Sequence, residues 1–216
     1  MGKRLMVVAH PDDEVIFGGA HLIRYKHWKV VCVTNGNNRI RKREFERVMR
    51  AVGADYEIWN YRDTYSRNFD IVRLKKDLSR LILQSQFQMI VTHGLKGEYG
   101  HPQHIVIAQV MRNLVQHNLY TFAVGKMRLS EPTLHRKKNL LRMYGSQKQT
   151  IWELRRDNLL DNFINREHFN LEPLPKLLWM PVGVPESTVE CPRTRSVRAF
   201  RSWKSTDVRC YWQKWT

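Results

Sequence analysis

The stretch Leu5-Met-Val-Val-Ala-His-Pro-Asp-Asp-Glu14 decides how the rest of the chain is read. Leu5 to Val8 is an uninterrupted apolar run, the character of a strand buried on both faces. It leads directly into His10-Pro11-Asp12-Asp13-Glu14, and a helical pattern follows. A parallel strand delivers whatever follows it to the carboxyl edge of its sheet, where α/β proteins build their sites. Here it delivers an imidazole and two adjacent carboxylates, groups suited to metal ligation and to general-base work. Helix capping accounts for one carboxylate. Two side by side repel unless a cation offsets them. Pro11 stiffens the turn, so the three side chains leave the backbone in defined directions.

About ninety residues on, His93-Gly-Leu-Lys-Gly-Glu-Tyr-Gly-His101-Pro-Gln-His104 has the same form: apolar strand, polar cluster, helix. Pro102 suits the first position of that helix. His101 and His104, three apart, share a helix face and can point into one cleft. Gly97 and Gly100 let the preceding loop approach a ligand closely. Capping histidines on a flexible loop are the plainer alternative for this cluster. Both clusters follow predicted parallel strands and therefore fall on the same sheet edge. Two imidazoles and a carboxylate around an open position make a catalytic zinc site, as distinct from a closed structural one.

Between and beyond the clusters, periodicity predicts helices over 15–27, 41–52, 71–84 and 102–115, and strands over 30–33, 56–59 and 89–92. Asp12 and Asp13 are placed to cap the first helix, and Gly53 closes the second. Further on, 122–124 reads as a strand, 131–144 as a basic helix and 151–164 as another. From Leu171 the chain holds five prolines and short apolar pieces, an irregular closing segment. Strands alternating with helices argue an α/β, Rossmann-like three-layer fold with a mostly parallel sheet. No GxGxxG follows the first strand, so a dinucleotide is not implied. We expect one domain over 1–190 and a distinct segment over 191–216. That segment carries seven Lys or Arg against one acid, interleaved with Phe200, Trp203, Tyr211, Trp212 and Trp215.

At 216 residues and 42% hydrophobic, the chain can bury one sizeable core, which excludes wholesale disorder. No apolar run reaches the roughly 18 residues of a membrane span. The apolar stretch broken at His10 is too short for a signal peptide. Cys32, Cys191 and Cys210 are too few and too scattered for a disulfide framework or a CxxC site, which suits a cytoplasmic setting. The formal net charge of +17 speaks of partners, not of fold: an anionic substrate, surface or nucleic acid would be attracted.

Ala9-His-Pro-Asp-Asp-Glu14 together with Gly97-Glu-Tyr-Gly-His-Pro-Gln-His104 resembles the PIG-L/LmbE-like family of metal-dependent de-N-acetylases. Weaker correspondence continues through Arg41-x-x-Glu44, Val52-Gly53, Asp63 and Tyr144-x-Ser-Gln147, so that roughly residues 4 to 165 are covered. The resemblance implies that His10, Asp13 and His104 hold the metal, zinc first with Fe²⁺ or Mn²⁺ as other candidates. It implies Asp12 as general base, His101 as electrostatic stabiliser or acid near the scissile carbonyl, and Tyr99 at the same spot. Arg41 and Asp63 would hold sugar hydroxyls or a neighbouring anionic group. The expected substrate is an N-acetylated amino sugar of N-acetylglucosamine type, an anionic conjugate of it included. His93 is either a ligand-orienting or a structural strand-end histidine, and Glu14 either a first-turn helix acid or a functional residue. His21, His27, His117, His135 and His168 read as surface residues.

Three features depart from the family pattern. The loop Asn35-Gly-Asn-Asn38 is short and lacks acidic residues, no N-terminal transmembrane anchor like that of membrane-bound relatives is expected, and the basic aromatic tail matches nothing in the family. Two other readings stand beside the deacetylase: a metal-dependent hydrolase of another N-acyl or phosphoester bond, and a basic nucleic-acid-binding module on the same fold. The last is disfavoured, because a retired site has no need of every proposed ligand and the base.

Overall fold

The computed structural model describes residues 2–173. The expectation for residues 191–216 lies outside the described residues, as do Cys191 and Cys210. The elements run β1 (Lys3–Val8), α1 (Asp13–Arg24), β2 (Trp28–Thr34), α2 (Arg39–Val52), β3 (Asp55–Tyr61), α3 (Ile71–Leu83) and β4 (Phe87–Thr92). They continue through α4 (Gly97–Gly100), α5 (Pro102–Leu114), β5 (Leu119–Val124), α6 (Glu131–Leu141), α7 (Lys148–Arg156), α8 (Asp161–Asn165) and β6 (Glu167–Leu171). A short 3₁₀ turn, Gly145–Gln147, precedes α7.

The sheet has six strands in the order β3-β2-β1-β4-β5-β6. All neighbours pair parallel except β5 and β6. From β1 the chain winds through β2 to β3 on one side, and from β4 through β5 on the other. The reversal lies between β1 and β4, and the loops after these strands are the two motif clusters. α/β sheets bind ligands at such a switch point.

Alternation along β1 explains the three layers. Met6 and Val8 face one core with Phe17 of α1 and Phe45, Val48 and Met49 of α2. Leu5, Val7 and Ala9 face the other with Leu74, Leu78 and Leu81 of α3 and Val106, Ile107 and Val110 of α5. A strand with both faces covered needs a continuous apolar run, as Leu5 to Val8 supplies. Full burial of each such side chain stabilises by about 1.5–3 kcal/mol.

The fold expectation holds, with local corrections. The predicted helix 151–164 is two short helices, α7 and α8, separated where Asn158 takes a φ of 58°. The predicted helix 131–144 ends at Leu141, and the chain tightens into the 3₁₀ turn. β6 was not foreseen: only Glu167 and Phe169 of its five residues face inward, too brief an alternation to stand out. It pairs antiparallel with β5, Phe169 opposite Phe122. No helix among the described residues is long and apolar enough to cross a membrane.

Candidate metal centre and active site

His10 leaves the end of β1 and is 6% exposed. His104 sits in the first turn of α5, fully buried. Asp13 opens α1, and its Oδ2 accepts the backbone N–H of His10 at 2.8 Å. The expected capping role is thereby corrected: Asp12 is the N-cap residue but makes no side-chain cap, and the Asp13 carboxylate turns back into the site. His10 Nδ1 and Asp13 Oδ2 are 3.3 Å apart, His104 Nε2 and Asp13 Oδ2 3.3 Å, and His104 Nε2 and His10 Nδ1 3.3 Å. Three donors at tetrahedral corners around zinc, with bonds near 2.0–2.1 Å, lie about 3.3 Å from one another. The donor set fits a divalent ion.

Each imidazole is held from behind. His10 Nε2 meets Gln103 Oε1 at 2.9 Å and Asp63 Oδ1 at 3.3 Å. His104 Nδ1 donates to Glu98 Oε2 at 2.7 Å. A carboxylate behind a metal-ligating imidazole fixes its tautomer and raises its basicity. Glu98 Oε2 also accepts from His93 Nδ1 at 2.8 Å, and its Oε1 accepts Gly94 N–H at 2.7 Å. The His93 and His104 rings stack 3.8 Å apart.

Two other groups also bring their donor atoms within 4.8 Å: His10, His101 and His104, and Asp13, His93 and His104. The second loses His93, because its Nε2 accepts the N–H of Ala9 at 2.9 Å and has no lone pair left to give. His93 thus anchors the end of β1 and shares Glu98 with His104. Its buried position, with His104 as a cationic neighbour, lowers its pKa.

His101 is the N-cap of α5 and not a first-turn residue, and its Nδ1 accepts Gln103 N–H at 3.3 Å. Its ring lies 4.7 Å from that of His10 and 4.6 Å from that of His104. Burial and these two neighbours lower its pKa to about 3, so it is a neutral imidazole with an Nε2–H to donate. Tyr99 stands 5.9 Å from it and Tyr65, 75% exposed, 4.9 Å from it edge-on. Arg41 Nη1 pairs with Asp63 Oδ2 at 2.7 Å, so the two residues reach the site as a linked pair.

The electrostatics separate the adjacent aspartates. Burial and the Asp13 charge push Asp12 up to about 7, against the pull of Arg41, His10 and His104. Asp13 is driven well below the carboxylate range despite its burial, by His104 and His10. Burial opposes protonation of His10, but Asp13 and Asp63 overcome it and hold the imidazole up at about 10. Glu98, likewise buried, is held down at about 2 by His93 and His104.

The structure brings His10, Asp12, Asp13, Tyr99, His101, His104, Arg41 and Asp63 into one neighbourhood. Sequence reading passed over Glu98, Gln103 and Tyr65. A carboxylate five residues after one histidine and six before another was the available signal for Glu98. Glu14, read as a first-turn acid, is wholly buried, and His21, read as a surface residue, is half-buried against Glu167. A cavity of about 1050 Å³ lies elsewhere, lined by Leu141, Arg142, Tyr144, Lys148, Ile151 and Trp152 among others. It contains none of the clustered histidines.

Residues 5–115, about half the chain, match the family described as PIG-L: GlcNAc-PI de-N-acetylase. The chain belongs to the PIG-L family. It is 38% identical to an uncharacterized protein of Acanthamoeba polyphaga mimivirus, with 68% of this chain and 73% of that one covered. It is 30% identical to the 1D-myo-inositol 2-acetamido-2-deoxy-alpha-D-glucopyranoside deacetylase 2 of Catenulispora acidiphila, with 52% of this chain and 50% of that one covered. The PIG-L chain spans about half the length of the named deacetylase relatives it matches. The N,N'-diacetylchitobiose deacetylase of Pyrococcus horikoshii shares its fold, with a TM-score of 0.58 at 18% identity over 80% of this chain and 84% of that one.

Proposed function

We propose that this PIG-L family member is a zinc-dependent amidohydrolase that removes the acetyl group from an N-acetylated amino sugar of N-acetylglucosamine type, releasing acetate and a free amine. The triangle of His10 Nδ1, Asp13 Oδ2 and His104 Nε2, 3.3 Å on every side, carries the reading. These three residues would hold the ion. Two imidazoles and a carboxylate suit zinc, with Fe²⁺ or Mn²⁺ as substitutes. A divalent ion held there would polarise the amide carbonyl and bring the pKa of a bound water towards about 7.

The chain's own groups do the rest. Asp12, 7% exposed and poised near neutrality, takes the proton from the attacking water on its carboxylate and returns it to the departing amine nitrogen. His101 donates its Nε2–H to the oxygen on which charge develops. Tyr99 closes the same side. Tyr65 offers an exposed ring against which a pyranose face stacks. Arg41 and Asp63 meet sugar hydroxyls with the capacity that their mutual pairing leaves free. The net charge of +17 favours an anionic conjugate.

The deciding experiment combines metal analysis of the purified protein with acetate release from free, phosphorylated, nucleotide-linked and oligomeric N-acetylhexosamines. We expect about one zinc per chain, release from at least one substrate, loss on chelation and recovery on adding zinc. Release indifferent to chelators, or none from metal-replete protein, overturns the proposal.

A further inference from the structure

Asp12 sits in a backbone conformation that side-chain-bearing residues avoid, with φ 116° and ψ −29°. Such a residue costs on the order of 1–3 kcal/mol and persists only where its surroundings hold it. The bonds from Val15 and Ile16 N–H to the Asp12 carbonyl, at 3.0 and 2.9 Å, would begin any helix. Arg41 Nη2 grips the preceding peptide, at the Pro11 carbonyl, at 3.1 Å. The contact particular to Asp12 is its own N–H, which donates to Glu14 Oε2 at 3.1 Å.

An acid in a helix's first turn ordinarily points to water and complements the dipole. Glu14 does the reverse. It is wholly buried and folds back over two residues to reach the Asp12 amide. Its other oxygen accepts the hydroxyl of Tyr144, a buried residue 130 positions further along the chain. Burying a carboxylate is costly unless its acceptor capacity is used. Here that capacity is spent on the peptide of one residue and on a hydroxyl that stops the carboxylate from swinging away.

We propose that Glu14, clamped by Tyr144, is a positioning residue that holds the Asp12 peptide in its strained turn and so aims the Asp12 carboxylate at the open side of the metal centre. The proposal rests on the reading of Asp12 as base, and its test therefore has one arm that needs no substrate.

Three variants of the full chain are compared with the parent, each with its metal content measured. Hydrogen exchange at the Asp12 amide is followed by NMR, and acetate release gives kcat and KM. Glu14→Ala removes the acceptor. Asp12 exchange rises about tenfold, the worth of a buried hydrogen bond. kcat falls about 100-fold, the loss a misplacement of about 1 Å produces. KM and metal content stay near the parent's. Glu14→Gln keeps an oxygen for the Asp12 N–H and offers an amide N–H to the Tyr144 oxygen, so slow exchange and most of kcat return. Tyr144→Phe frees one side of the carboxylate and lowers kcat by about 3- to 10-fold, one lost hydrogen bond.

Undiminished kcat in Glu14→Ala overturns the proposal. So does a Gln variant as slow as Ala with its Asp12 amide still protected, which would mean Glu14 acts through its charge. If Glu14→Ala does not fold, Tyr144→Phe must lower kcat and Glu14→Gln must not. If the parent releases no acetate, the deacetylase reading falls separately, and unchanged Asp12 exchange in the Glu14 variants alone sinks the clamp.

Discussion

Two buried charge clusters flank helix α1, and they are built on opposite plans. At its amino end, His10, Asp13 and His104 turn three donor atoms towards a common point. Towards its carboxyl end, Lys137 Nζ meets Glu167 Oε2 at 2.6 Å with both side chains fully buried. Glu167 also accepts Ala20 N–H at 2.8 Å, His21 N–H at 2.9 Å and His21 Nδ1 at 2.6 Å. Lys137 has a further acceptor in the Phe163 carbonyl at 3.2 Å. In the second cluster each charge is answered within the protein, and the group ties α1, α6 and β6 together. In the first, Asp13 Oδ2 accepts the His10 N–H and also faces His10 Nδ1 and His104 Nε2, so that three donor atoms meet at one point. Burial and charge are common to both, so neither marks function. The convergence of three ligand-type atoms on one point sets the first apart.

That contrast can be broken by substitution. The largest effect is expected from Asp12→Asn, which should keep its metal and melting temperature while turnover falls about 100- to 10,000-fold. Metal analysis beside an acetate-release assay checks it. Next is Lys137→Met, which strands the Glu167 charge and should cost about 3–5 kcal/mol. That corresponds to a fall in melting temperature on the order of 10 °C, with kcat per folded molecule unchanged. Glu98→Gln keeps one oxygen for the two imidazole N–H groups but removes the negative charge behind them and turns an NH2 towards Gly94 N–H, which now donates to Oε1. Metal affinity should drop about 10- to 100-fold, measurable by competition with a chromophoric chelator.

The smallest effect is a pH dependence belonging to the second cluster. Burial would raise Glu167, but Lys137 and His21 hold it below the ordinary glutamate value. A carboxylate depressed in the folded state contributes its full stabilisation above its unfolded pKa of about 4.3 and loses it as pH falls towards the folded value. Melting temperature should therefore decline on acidification below about pH 5, and less steeply in Glu167→Gln.

The fold was legible because its five parallel strands and larger helices carry continuous apolar runs or clear helical spacing. Leu5 to Val8 and the Leu74, Leu78 and Leu81 face are examples. β6 and the α7–α8 break escaped because each turns on one or two residues, Phe169 and Asn158, whose partners are distant or whose backbone is unusual. The site divides the same way. His10, Asp12, Asp13, His101 and His104 are concentrated in two short stretches, and their chemistry is visible there. Glu98 lay inside the quoted motif, yet its role depends on His93 and His104 rings that stack only after folding. Gln103 serves His10 from 93 residues away, and Glu14 declares itself only through Tyr144. Single polar residues acquire such roles from tertiary proximity, which periodicity does not report.

The bond from Ala9 N–H to His93 has a consequence for how the protein matures. It ties the last peptide of one central strand to the side chain that follows the other, and His93 in turn shares its carboxylate with His104. The three donor atoms proposed to hold the ion therefore acquire their spacing only once strands from distant parts of the polymer have zipped together. An ion held by the proposed ligands would be captured late in folding and, bound to the finished state alone, would act as a latch against its reversal.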